Sequence, residues 1–110
     1  MPTIYKVLGQ SAPAATTNTN LYTVPALTNA VISTIVVASR VGTAAAFRIA
    51  IRPGGAAIAD QHYIAYDVTV GAGDSTTLTL GITLAATDII TVYASNSSLS
   101  FNVFGSEITA

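Results

Sequence analysis

Charged side chains are scarce in this sequence. Asp, Glu, Lys and Arg make up 8% of the 110 residues, whereas soluble proteins average about 25%. The net charge is −1, and the mean hydropathy is +0.60. A solitary soluble domain usually carries more charge, which keeps it dispersed. The shortage favours a chain that covers much of its surface in an assembly, and a monomer coated with Thr and Ser is the alternative.

Cysteine is absent. The chain therefore has no disulfide framework, no Cys-based zinc site and no thiol chemistry. Lys and Arg number four and are offset by five carboxylates. Binding to nucleic acid requires clustered cations that displace counterions. The composition thus excludes nucleic acid as the main partner, and nothing in it implies a cofactor.

Long hydrophobic runs are also missing. The most apolar stretch, Ala30 to Ala38, is far shorter than the ~20 residues that a spanning helix needs. Extending it to Ile51 would place Arg40 and Arg48 in lipid, at a cost of several kcal/mol. The first ten residues, MPTIYKVLGQ, lack the basic and apolar regions of a signal peptide. We therefore expect no membrane partner and a soluble chain made in the cytoplasm.

The sequence does contain turn residues at intervals of about ten, separated by runs rich in Val, Ile, Thr, Tyr and Phe. Such regular spacing is typical of a sandwich or barrel. The length suits one domain, residues 1–110. We predict an all-β, antiparallel β-sandwich of about eight strands, either a jelly roll or an Ig-like fold. The predicted strands are 3–8, 20–24, 30–40, 44–52, 61–70, 75–84, 88–95 and 99–108.

Alternating patterns support this interpretation. In Ala46–Arg52, Phe47, Ile49 and Ile51 share one face of the predicted strand. A similar alternation runs through 77–84, and in 99–104 Phe104 lies opposite the main apolar face. Side chains alternate across a strand, so each pattern buries one face. Burial of a single face indicates antiparallel sheets.

Two predicted strands are apolar on both faces. The third strand places Ile32 and Val36 on its second face, and the seventh places Ile89 and Tyr93 there. The outer face of an isolated sandwich should be polar. A second apolar face therefore indicates contact with a neighbouring subunit or partner. Coverage by a loop of the same chain explains the pattern equally well.

Arg48 and Arg52 are predicted to lie side by side on one face of the fourth strand. Guanidinium groups form strong bidentate contacts with carboxylates. The pair is therefore the best candidate for an anchor to acidic groups of a partner. A plain solvated face is the alternative.

His62 is the only histidine in the chain. It could act as a general base, with Asp60 or Asp67 orienting it and Ser75 as the nucleophile. However, the predicted strand places Asp67 on the face opposite His62, and no nucleophile turn of the G-x-S-x-G type presents Ser75. We therefore predict that the protein is not an enzyme.

Metal ligands are few. Asp60 and His62 offer two ligands, but no second His and no Cys completes a coordination shell. Asp74 or Asp88 could bind calcium together with backbone oxygens, although EF-hand spacing is absent. Each of these two aspartates precedes a predicted strand, where its carboxylate can close the turn by accepting backbone N–H groups. We predict turn chemistry and no metal site.

Exposed aromatic side chains could stack on sugar rings. Tyr63 with Asp67 or Arg48 would be the most suitable combination, although Trp, the strongest platform, is missing. Packing in the core or at an interface is the alternative for the whole aromatic set, which comprises Tyr5, Tyr22, Tyr63, Tyr66, Tyr93 and Phe104.

The order of segments along the chain resembles that of small structural proteins of tailed bacteriophages, cyanophages among them. The most characteristic pieces are LYTVPA (Leu21 to Ala26), FRIAIRP (Phe47 to Pro53) and FNVFGSEI (Phe101 to Ile108). The resemblance covers nearly the whole chain. These pieces define a structural pattern and contain no catalytic motif.

The resemblance implies a β-sandwich component of a virion. Capsid decoration (cement) proteins of this size form trimers that clamp the major capsid protein, which makes this the leading expectation. Neck, tail, baseplate or fibre-associated modules, some of them binding host glycans, are the rival placements. Two segments are expected to be mobile and to reach a neighbouring copy, Met1–Thr3 and Ala12–Asn20.

Overall fold

The computed structural model of the protein describes residues 3–109. Within this range no helical segment has the length and hydropathy needed to cross a bilayer. Two single 3₁₀ turns, Pro53–Gly55 and Asp60–His62, lie between the fourth and fifth strands. The remaining regular structure is eight strands: β1 (Thr3–Ser11), β2 (Thr19–Thr23), β3 (Thr28–Ser39), β4 (Ala45–Arg52), β5 (Tyr63–Val70), β6 (Ser75–Leu84), β7 (Ile89–Ala94) and β8 (Leu99–Thr109).

The strands form two four-stranded antiparallel sheets. One has the order β1-β8-β3-β6 and is called the β1 sheet; the other has the order β2-β7-β4-β5 and is called the β2 sheet. Every connection except β4–β5 crosses from one sheet to the other. This is the double-sheet arrangement of a jelly roll. The predicted antiparallel sandwich is confirmed, and the pairing order selects the jelly roll over the Ig-like alternative.

The core lies between the two sheets and is apolar. Phe47 on β4 and Phe101 on β8 meet there edge to face, with ring centroids 6.1 Å apart and planes at 79°. Both rings are fully buried. Edge-to-face contact is a favoured geometry for aromatic pairs. The predicted alternation of β4 and β8 is therefore confirmed, since each strand contributes its predicted apolar face to one core.

A β-bulge in β3 changes which residues point outward. The pairing of β3 with β8 shifts between Ile32 and Thr34, so Ser33 is an additional residue with no opposite partner. Such a residue reverses the alternation on one side of it. Ile32 therefore joins Ile35 and Val37 in the core and is fully buried. The prediction that Ile32 shares an outward face with Val36 was wrong, and Val31 takes the outward position instead.

The segment Ala12–Asn20, expected to be a mobile arm, is held against the sandwich. Pro13 is buried, and the Thr16 N–H donates to the Ala94 carbonyl at 2.8 Å. The segment already enters β2 at Thr19. Met1 and Pro2 lie outside the described residues, so the reach of the N-terminal end onto a neighbour stays a prediction.

Candidate assembly surfaces

The outer face of the β1 sheet carries an apolar patch. Cross-strand pairing aligns Val7 with Phe104 and Tyr5 with Ser106, and the next strand places Val31 opposite Ser106. Tyr5 is 83% exposed, Val7 47% and Val31 38%. A shallow open groove of about 440 Å³ lies between Tyr5, Val31 and Phe104, and Lys6 also lines it. Contiguous exposed apolar surface of this kind marks interaction sites.

No outward-facing position in the described strands of this sheet carries a charge. The predicted residue Val36 lies on the face, half-buried, opposite Asn102 and Thr77. The remaining outward positions are Thr, Ser, Asn, Gln, Ala and Ile. Lys6 and Glu107, the charged residues of β1 and β8, pair with each other on the opposite side of the sheet. The face is therefore neutral as well as partly apolar.

Glu107 is a buried carboxylate that sequence reasoning missed. Its Oε2 accepts a hydrogen bond from the Tyr22 hydroxyl at 2.5 Å, and its Oε1 lies 2.9 Å from Lys6 Nζ. Tyr22 belongs to β2, so this contact joins the two sheets. The residue is 7% exposed. A buried charge is tolerated when it is paired and hydrogen-bonded, as this one is.

The three groups alter one another's ionisation. The Tyr22 hydroxyl, followed by Lys6, lowers the pKa of Glu107, and this outweighs the opposing effect of desolvation. Burial, followed by the adjacent Glu107 carboxylate, raises the pKa of Tyr22. A lowered carboxyl pKa stabilises the fold above the unfolded-state value, and this contribution is lost as pH falls through the folded-state value. The raised pKa of Tyr22 acts in the opposite direction. Its contribution to the stability of the fold is present below pH 10, the ordinary tyrosine value, and is lost as pH rises through the folded-state value.

Replacing Glu107 by Gln should flatten the acid limb of the stability curve. The native protein is expected to lose stability as pH falls below the ordinary carboxyl value of 4.5, because the unfolded chain then binds a proton that the paired Glu107 of the folded state resists. Denaturant unfolding between pH 7 and pH 3 measures this slope. Asp60→Asn, at an exposed position, is the control and should retain the native slope. An equal slope in Glu107→Gln and the native chain would contradict the assignment.

Arg48 lies on the outer face of the β2 sheet between two tyrosines. Its Cζ is 4.2 Å from the ring centroid of Tyr66 and 4.3 Å from that of Tyr93. Its Nε donates to Asp67 Oδ1 at 2.7 Å. A bulge in β5, where Asp67 has φ of 54°, places both Tyr66 and Asp67 opposite Arg48. Stacking and ion pairing therefore use the guanidinium within the chain.

Arg52 is also used within the chain. It donates to the carbonyls of Gly55 and Ala56 at 3.1 and 2.7 Å, and to the side-chain oxygens of Asn20 and Thr91, each at 3.2 Å. These bonds hold the β4–β5 loop against the strands. Arg48 and Arg52 do share a strand face, as predicted. Their guanidinium groups bind partners in the same molecule, and anchoring to the carboxylates of a neighbour stays a prediction.

The second apolar face of β7 is covered by the same chain. A Cβ atom on Gly55 would lie 3.3 Å from Ile89 Cδ1, so the β4–β5 loop packs on Ile89. The loop is held there by Asp88, whose Oδ1 accepts the Gly54 N–H at 2.8 Å. Tyr93 is covered by Arg48. The structure thus shows the loop of the same chain on Ile89 and the Arg48 side chain on Tyr93, while contact of either residue with a partner stays a prediction.

Three of the candidate catalytic and metal residues, His62, Asp74 and Asp88, accept local hydrogen bonds. His62 Nδ1 accepts the Ala59 N–H at 3.1 Å, so the backbone engages that nitrogen. Asp74 accepts the Ser75 N–H at 2.8 Å, and Asp88 Oδ2 accepts the Ala85 N–H at 2.9 Å. Both aspartates therefore close turns as predicted. Within residues 3–109 no three His, Asp or Glu side chains gather into a metal-binding group.

The aromatic residues do not form one platform. Tyr22 is buried, while Tyr5 and Phe104 lie on the β1 sheet. Tyr63 and Tyr66 meet edge to face with centroids 4.9 Å apart on the β2 sheet. Arg48 covers one face of the Tyr66 ring. Tyr63, Arg48 and Asp67, the combination predicted for stacking on a sugar, thus lie in one region. Their side chains contact members of the same cluster, since Tyr63 meets Tyr66 and Arg48 contacts both Tyr66 and Asp67.

Comparison with known proteins shows a shared fold. The chain superposes on a chain of the structure of infectious bursal disease virus Gx strain with a TM-score of 0.55 and 15% identity, and on one from the Gt strain with 0.51 and 11%. Each match covers 96% of this chain and 32% of the viral chain, so this protein spans about a third of their length. No protein-family model and no curated protein matches the sequence. The virus is not a tailed phage.

Proposed function

We propose that the protein is a structural component of a virus particle and acts by binding other protein surfaces. The observation that carries the proposal is a neutral, partly apolar sheet face on a jelly-roll domain. Jelly rolls are common in viral capsids. The fold shared with chains of infectious bursal disease virus structures supports the same assignment.

Within that role we propose a capsid decoration protein of a tailed bacteriophage, which self-associates on the major capsid protein; the resemblance alone implies a trimer. This finer placement is supported by the resemblance of the segments LYTVPA, FRIAIRP and FNVFGSEI. The chain would be made in the host cytoplasm and would reside in the virion. A neck, tail or fibre-associated module that binds glycans is the second candidate, since jelly rolls also occur in lectins.

The proposal gives the chain no catalytic role and no cofactor. His62 is the only histidine, and its Nδ1 accepts a backbone hydrogen bond. Asp67, one of the two acids considered for orienting it, is paired with Arg48; Asp60 is the other. A catalytic triad needs a base that is free on one nitrogen and oriented through the other. The pairing of Asp67 with Arg48 supports a non-catalytic role.

Quantitative mass spectrometry of purified particles tests the proposal. We expect the chain to remain in particles through density-gradient purification and to occur in many copies, in fixed ratio to the major capsid protein. Separation of capsids from tails then assigns its position, and the decoration role predicts the capsid fraction. Absence of the chain from purified particles of the virus that encodes it would contradict the proposal.

A further inference from the structure

We infer that the outer face of the β1 sheet binds the same face of a second copy of this chain. The inference deepens the proposed function, because it names one surface through which the protein would assemble. The face is centred on the exposed side chains of Tyr5, Val7 and Val31 together with the half-buried Phe104. These four residues come from three adjacent strands.

The lack of unpaired charge favours a second copy over a different partner. Protein partners that differ from each other commonly match positive patches with negative ones, which gives specificity and speeds association. This face offers little charge for such matching, because Lys6 is the one charged residue that lines its groove and its Nζ is already paired with Glu107 Oε1 at 2.9 Å. Two identical neutral faces meet without repulsion. They also bury apolar side chains that would otherwise remain in water.

The size of the face is sufficient for a stable pair. Four strands spaced by about 4.8 Å and about ten residues long at 3.3 Å each give a face of roughly 600 Å². Two copies would therefore bury roughly 1,200 Å², the lower limit of specific interfaces. The β2 sheet offers less, because Arg48, Arg52 and the β4–β5 loop cover part of its outer face, although Tyr66 there remains 56% exposed.

Contact between identical faces has two-fold symmetry and closes with two copies. Each contact between two residues of the face then occurs twice, once in each direction between the two copies. The resulting dimer has twice the chain mass of 11.2 kDa. A trimer, as the resemblance implies, would require a different, heterologous contact. Solution mass therefore distinguishes the two arrangements.

Sedimentation equilibrium of the full chain, from about 1 to 200 µM, tests the inference. Buried area alone does not set affinity, and interfaces at the small end of the size range include weak ones, so the series extends to high concentration. We expect a monomer–dimer equilibrium. Val31→Lys should raise the dissociation constant by about tenfold or more, because two-fold symmetry places two lysines in the contact. Val41→Lys is the matched control, since Val41 is 48% exposed and lies in the loop between β3 and β4, outside both sheets. It should leave the dimer intact.

Val7→Lys is a second variant at the edge of the same face and should also weaken the dimer. Circular dichroism of each variant shows whether it remains folded, so loss of the dimer can be assigned to the contact. A native chain that stays monomeric throughout the range, or that forms a trimer, would overturn the inference. A dimer that resists both Val31→Lys and Val7→Lys would do the same.

Failure of this inference and failure of the proposed function give different results. If the chain is found in particles but its oligomeric state in solution is unaffected by Val31→Lys, the virion role stands and this interface is contradicted. A chain that dimerises through the face but is absent from particles would retain the interface and lose the virion role.

Discussion

Replacing Phe101 by Ala should lower the free energy of unfolding by about 3–5 kcal/mol. The Phe101 ring is fully buried and meets Phe47 of the opposite sheet edge to face. Its removal forfeits the transfer free energy of the ring and leaves a cavity between two rigid sheets. Denaturant unfolding, monitored by circular dichroism at concentrations below dimer formation, measures the change.

Phe104→Ala is the matched control for this prediction. Phe104 lies three residues further along β8 but points to the outer face and is half-buried. Its loss should cost about 1 kcal/mol, because less apolar surface returns to water and no closed cavity forms. Equal losses at the two positions would show that the core is not centred on the Phe47–Phe101 contact.

Gly9→Ala should cost about 2–4 kcal/mol, although it adds only one methyl group. A Cβ atom at Gly9 would lie 2.2 Å from the Leu21 carbonyl oxygen, which belongs to the backbone of β2. A backbone atom cannot rotate away as a side chain can, so β1 and β2 must separate. Thermal and denaturant unfolding measure the loss.

Gly81→Ala is the control for the glycine substitution, since no atom lies within 4 Å of a Cβ built there. Its effect should be within about 1 kcal/mol of zero, and it can be stabilising because Ala restricts the unfolded chain. Gly105→Ala, where the Cβ would lie 2.1 Å from the Val31 carbonyl oxygen, should behave like Gly9→Ala. Similar stabilities for Gly9→Ala and Gly81→Ala would contradict the close approach of β1 and β2.

The strands could be predicted because their signals are local. Alternation, as in 46–52 and 99–104, together with turn residues on both sides of each run, predicted eight strands. The structure confirms all eight, and each boundary lies within three residues of its predicted position. Which sheet each strand joins could not be predicted from these patterns. Strand order depends on pairings between distant segments, such as β1 with β8, and jelly-roll and Ig-like sandwiches contain similar strands.

The interaction residues were predicted less well, for two physical reasons. A bulge at Ser33 reverses the alternation, so Ile32 enters the core and Val31 takes the outward position; the period of two contains no signal of the extra residue. Glu107 was missed because its partners, Lys6 and Tyr22, come from strands far away in sequence. The loop that covers Ile89 is likewise positioned by hydrogen bonds that only the folded chain reveals.

Hydroxyl-radical labelling of Tyr5 in the isolated chain and in assembled particles tests most directly whether this face is covered by assembly. Tyr5 is 83% exposed on the β1 sheet, and Tyr66 is 56% exposed on the β2 sheet. We expect labelling of Tyr5 to fall at least severalfold in the particle, while Tyr66 keeps more of its reactivity. Equal labelling of Tyr5 in the two states would contradict the assignment of this face to an assembly contact.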